Sequence, residues 1–147
     1  MKAKMLNRNE GETTWVMVYD RGDEVVKTLT AFAKEHGIGA AHFTAIGAFS
    51  RVTLGYFRRD TKDYKRIPVD EQVEVLSLIG DIALEKGEPK VHGHAVVGTG
   101  DGSTRGGHLL EGTVWPTLEV VLTQSPRHLR KTFDPDVGLA LIDLTAS

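Results

Sequence analysis

The 147-residue chain contains no cysteine, which removes disulfides, thiolate metal ligands and cysteine nucleophiles together. Any metal must therefore be held through nitrogen or oxygen. Net charge is also scarce, at −2 with histidines neutral, so no whole-molecule field draws the chain towards nucleic acid or an anionic membrane. No apolar run is long enough to span a bilayer, and Met1 to Arg8 lacks the apolar core of a signal peptide. The expectation is a cytoplasmic protein with no membrane partner. Repeats, low-complexity tracts and linkers are missing too. One domain over residues 1–147, with a core spanning about 13–144, accounts for the whole chain.

Two further absences narrow the chemistry. Ser103 and Ser125 have no nucleophile-elbow motif around them, which leaves a serine hydrolase unsupported. The glycine-rich stretch Gly98-Thr99-Gly100-Asp101-Gly102 leads into a strand pattern and not a helix, so it offers no helix N-terminus to a phosphate. A hairpin turn at Asp101-Gly102 explains these glycines better.

What is present is mostly strand. Thr13–Tyr19 is rich in β-branched and aromatic residues. After Asp23, a candidate N-cap, residues Val25, Val26, Leu29, Phe32, Ala33 and His36 recur at helical spacing up to Gly37. This predicts one principal helix. Strands are expected at Ala41–Phe49, Val52–Arg58, Gln72–Ile79, Thr117–Thr123 and Gly138–Leu144. Short helical turns are expected at Ile82–Glu85 and Arg127–Arg130. Many strands after an early helix give an α+β domain with a mainly antiparallel sheet.

One constellation carries chemistry. His92 and His94 flank Gly93 in an extended segment, and alternation along a strand puts both imidazoles on one face. If the chain folds back at Asp101-Gly102, His108 comes close to them. Three neutral imidazoles are a familiar ligand set for zinc with an open coordination position, and nickel, copper or iron also accept imidazole. Glu111 lies three positions from His108, on the opposite face of a regular strand, so it is not the expected partner of a metal-bound water. Glu74 and Glu119 sit in otherwise apolar strands and are read as facing solvent. His36, His42 and His128 are read as structural, and Trp15 and Trp115 as core or subunit-interface residues.

Arg58, Arg59, Lys62, Lys65 and Arg66 form a basic cluster diluted by Asp60 and Asp63, and Arg127, Arg130 and Lys131 form a second. A solvated loop is the plainer reading, with a phosphate-binding patch as the alternative.

The run Val91-His92-Gly93-His94-Ala95, Asp101-Gly102, Gly106-Gly107-His108-Leu109 and Thr117-Leu118-Glu119-Val120 resembles the PPC domain of plants and prokaryotes. Upstream matches are Arg21-Gly22-Asp23-Glu24, Gly37-Ile38, Ala45-Ile46-Gly47-Ala48, Leu54-Gly55-Tyr56-Phe57 and Glu74-Val75-Leu76-Ser77-Leu78. The resemblance implies a strongly bent sheet, a homotrimer and a metal site at the three histidines. In plants the domain accompanies AT-hooks, whose Arg-Gly-Arg-Pro core is absent here, so the minor-groove reader of those relatives is missing. Three expectations result: a homotrimer binding a transition metal, zinc first; a DNA-associated regulatory or architectural protein using the basic patches; or a metal-dependent enzyme acting on a small molecule.

Overall fold

The computed structural model describes all residues, 1–147. One mixed sheet of nine strands carries a single helix. The strands are β1 (Lys2–Asn9), β2 (Glu12–Tyr19), β3 (Ala40–Arg58), β4 (Asp63–Val69), β5 (Val73–Glu85), β6 (Glu88–Gly98), β7 (Thr104–Gln124), β8 (Arg130–Asp134) and β9 (Leu139–Ile142). The helix, α1, spans Val25–Glu35. No helix is long and apolar enough to cross a membrane.

The pairings β7–β3, β3–β5, β5–β6 and β6–β7 return to their starting strand, closing a ring around the core. The two long strands can serve several partners because they bend. Register shifts interrupt β3 against β7 between Gly47 and Phe49, Phe49 and Arg51, and Thr53 and Leu54, and such bulges turn a strand sharply. At Gly47, φ is +146° and an added Cβ would collide with the Thr117 carbonyl oxygen. Only glycine lets the strands approach that closely.

Sequence and structure differ at several elements. The runs Ala41–Phe49 and Val52–Arg58 belong to one strand, because Ser50-Arg51 is absorbed as a bulge. Gly80-Asp81 does not end β5, and Ile82–Glu85 is strand, not a helical turn, since its residues pair with Pro89 to Val91 and with Glu88. Arg127–Arg130 is likewise not helical: Leu129 N–H donates to the Gly39 carbonyl, and β8 begins at Arg130. β8 runs parallel to β5, which makes the sheet mixed. β1, β4 and β8 have no counterpart in the expected strands.

The helix cap is Glu24, not Asp23. The Glu24 carboxylate accepts from the backbone N–H groups of Val26 and Lys27, and also from that of Gly112. One side chain therefore satisfies helix donors and ties the helix start to β7. Asp23 instead accepts from the Asp20 N–H and pairs with the Met1 ammonium. Val25, Leu29, Phe32 and Ala33 bury one helix face against a core built around Phe43, Phe49, Leu54, Leu78, Leu118 and Leu122. Trp15 packs edge-on to Phe32, joining this core. Trp115 does not, being 43% exposed with the Arg21 guanidinium over its ring.

Candidate metal centre

His94 and His108 are direct cross-strand partners on β6 and β7, and His92 lies two residues before His94 on the same face. The hairpin that sets this register closes over Thr99–Ser103, where Thr99 N–H donates to the Ser103 carbonyl. The Asp101 carboxylate accepts from the Thr99 hydroxyl and the Ser103 N–H, which holds its pKa down at about 2. The glycine-rich stretch is thus a turn stabilised by its own aspartate.

Each of the three histidines can place one ring nitrogen within 4.8 Å of those of the other two. Ring centroids are separated by 5.2 Å (His92–His94), 5.3 Å (His92–His108) and 5.5 Å (His94–His108). His-Gly-His suits this place for a reason on the opposite face. Gly93 pairs with Gly80, and the Phe43 ring fills the space their missing side chains leave. An added Cβ at Gly80 would collide with that ring and with the His92 carbonyl oxygen.

Asp81 is the cross-strand partner of His92, and its Oδ2 lies 3.3 Å from His92 Nδ1. A carboxylate behind a histidine fixes the ring and leaves Nε2 as the free ligand atom. Burial alone would raise the Asp81 pKa, but the His92 hydrogen bond and the Lys131 charge outweigh it and hold the carboxyl below its usual range. The Lys131 ammonium is 3.7 Å from Asp81 Oδ1. Tyr64 stacks on the His108 ring at 4.6 Å. None of Asp81, Lys131 and Tyr64 was singled out as part of the site from sequence. An aspartate inside a strand directly opposite a histidine is the signal that could have found Asp81, and it needed the β5–β6 register.

Burial, then the positive potential of His92, His94, Lys131 and Lys90, push the His108 imidazole down to about 4. Burial and His92 lower His94 as well. At neutral pH both rings are therefore free of the competing proton that ligation must displace. His108 Nδ1 is buried with no hydrogen-bond partner, and an unmet polar atom of this kind calls for a partner that a metal-ligand role can explain. The donor set fits a divalent transition metal.

Glu111 takes no part in this cluster. A register shift beside Leu110 disturbs the alternation used to place it, and its carboxylate is engaged by Arg66 at 2.5 Å. Glu74 and Glu119 are exposed. His36 closes the helix, its Nδ1 3.0 Å from the Phe32 carbonyl oxygen. His42 is the β3 neighbour of Asp81 on the same face as the triad, outside the cluster of mutually close ligand atoms.

The basic cluster falls on the β3–β4 hairpin. Arg58 is held by Asp63, Arg66 by Glu111, and Lys62 Nζ donates to the Pro135 carbonyl. Arg59 and Lys65 are exposed, and neither forms an ion pair or a side-chain hydrogen bond.

A closed ring of bent strands, one capping helix and a strand-borne histidine triad define an α+β domain with the means to hold a metal ion. The chain belongs to the Plants and Prokaryotes Conserved (PCC) domain family, whose model matches residues 7–126. Among solved structures it is similar to a plant- and prokaryote-conserved protein of Pyrococcus horikoshii, at 32% identity and TM-score 0.84, covering 97% of this chain and 94% of that one. A metal-containing protein of Archaeoglobus fulgidus is 33% identical with TM-score 0.82, covering 88% and 91%. A protein of Bacteroides thetaiotaomicron, named as a candidate DNA-binding protein, is 30% identical with TM-score 0.86, covering 97% and 98%. A curated relative, the bifunctional protein GlmU of a Synechococcus strain, is 30% identical over 125 residues, 84% of this chain. The chain spans only 19% of that protein's length.

Proposed function

We propose that the protein is a homotrimer that binds one divalent transition metal per chain, zinc first, through His92, His94 and His108. The observation that carries this reading is the convergence of three ring nitrogens within 4.8 Å on paired strands, with Asp81 placed behind His92. The metal-containing relative from Archaeoglobus fulgidus supports it. A bound ion of this kind lowers the pKa of a coordinated water and polarises a carbonyl oxygen. The chain's own contribution is positional: Asp81 orients His92, Tyr64 backs His108, and burial keeps two of the rings neutral.

Trimer formation is supported by the uncovered face of the sheet. Ile46, Ile79, Val96 and Val121 share the face of His94 across four adjacent strands, and each is more than two-fifths exposed. Exposed apolar side chains gathered on one sheet face mark an interaction surface.

The deciding experiment is metal analysis of untagged protein beside the His92→Ala/His94→Ala double variant. Near-stoichiometric metal in the wild type alone is expected, and equally negligible metal in both overturns the proposal. Light scattering tests the assembly, with three chain masses expected and a monomer excluding the trimer.

DNA association is a second reading, favoured by the name given to the Bacteroides thetaiotaomicron relative. Arg58, Arg59, Lys62, Lys65 and Arg66 would supply the phosphate contacts. Of these, Arg59 and Lys65 carry no intramolecular ion pair or side-chain hydrogen bond to surrender.

A further inference from the structure

The β8–β9 hairpin lies beyond the part of the chain that the family model matches, and it forms one wall of a cavity beside the histidine triad. His92 and His108 line the cavity of about 410 Å³, and Leu110, Phe133, Leu139 and Leu141 give it an apolar side. Phe133 and Leu141 are 61% and 43% exposed, so the hairpin presents apolar surface to this space instead of filling it.

Lys131 sets the polar side. Its side chain is only 7% exposed, and its nearest carboxylate oxygen, Asp81 Oδ1, is at 3.7 Å, beyond hydrogen-bond reach. Asp81 Oδ1 itself has no hydrogen-bond partner. The Lys131 ammonium is paired with Asp81 by charge alone and makes no side-chain hydrogen bond, so its donors stay available to a second acceptor. Charge balance points the same way. A divalent ion on the triad, with Lys90 and Lys131, leaves two positive charges over after Asp81 and Glu85, all of these side chains except Asp81 lining the cavity.

We propose that this cavity binds a small monocarboxylate bearing an aliphatic chain of about four to six carbons. Its carboxylate would reach Lys131 and the ion that His92, His94 and His108 would hold, and its chain lies against Leu110, Phe133, Leu139 and Leu141. The inference rests on the metal-site reading above. A carboxylate carrying a chain suits the place better than a phosphate because Leu110, Phe133, Leu139 and Leu141 would face a phosphate's remaining oxygens with no side-chain donor.

The test uses the full chain loaded with Co²⁺, whose visible spectrum reports on the metal's ligands, titrated with 4-methylpentanoate. A saturable spectral change is expected. Acetate, which lacks the chain, and 4-methylpentan-1-ol, which lacks the charge, should each bind at least about tenfold more weakly, and inorganic phosphate should not compete. Lys131→Met, compared with the wild type at Co²⁺ concentrations that saturate both, should weaken the carboxylate about 10- to 100-fold, the usual loss for a hydrogen bond to a charged group. Full cobalt loading without a saturable response to 4-methylpentanoate, or phosphate binding better, overturns this inference and leaves the metal site standing. Failure to take up cobalt overturns both.

Discussion

Asp81 Oδ2 stands 3.3 Å from His92 Nδ1, and the two residues face each other directly across β5 and β6. An orienting carboxylate of this kind usually matters about 10- to 100-fold to metal affinity. Asp81→Asn keeps the shape and removes the charge, so it should fold normally and bind zinc about 10- to 100-fold more weakly. Competition against a chromophoric chelator reads this, and unchanged affinity would remove Asp81 from the site.

All three histidines should be needed together for metal binding. Loss of any one leaves two imidazoles, so His92→Ala, His94→Ala and His108→Ala should each lose most bound metal in native mass spectrometry. A His108→Ala protein that retains full metal content would show that the β7 ligand is dispensable.

The metal-free protein should lose stability in mild acid. The unfolded chain takes up a proton on His108 near the ordinary value of 6.5, whereas the folded chain does so only near 4. Protons therefore favour the unfolded state as pH falls through this window, and His94 acts in the same direction. Urea midpoints measured from pH 7.5 to 4 should decline, and His108→Gln should flatten part of the decline. A wild-type midpoint that holds constant over the window contradicts this.

Gly80→Val should be among the most damaging single changes, because its side chain must displace both the Phe43 ring and the His92 backbone. Overpacking that forces backbone to move costs about 1–3 kcal/mol and occasionally more, and two collisions at one position put Gly80 at the upper end. Thermal denaturation beside Gly100→Ala, where a Cβ meets nothing within 4 Å, separates crowding from simple loss of glycine. Equal Tm values for the two would contradict the packing argument.

Duplex binding, if it uses the β3–β4 hairpin, should be weak and vanish as salt is raised, since few cations there are free to neutralise phosphates. Fluorescence anisotropy of Arg59→Ala/Lys65→Ala should show it abolished. Tight binding insensitive to salt would require a different surface.

The triad and the family were legible because they depend on local spacing: a two-residue step along one strand and a short turn marked by Asp101-Gly102. The single helix was legible from its apolar period, although its start was misplaced by one residue. Asp23 looks like the better cap by residue type, and Glu24 takes the role because it can also reach Gly112 N–H. What stayed hidden depends on pairing over distance. Ser50-Arg51 looks like a break until bulges against β7 absorb it, and Gly80-Asp81 looks like an end until Gly93 and His92 are set opposite. Asp81 and Lys131 join the site through contacts with β6 and β5 that no short window contains.

The direct pairing of His94 with His108 ties the ligand set to the hairpin register. Were β7 to slip one residue along β6, His108 would turn to the core face and Gly107 or Leu109 would stand opposite His94. An ion that needs both rings can therefore be held only by the chain in its native alignment. Metal loading through these rings would act as a molecular proofreader of the fold, rewarding the correct pairing and passing over the misaligned one.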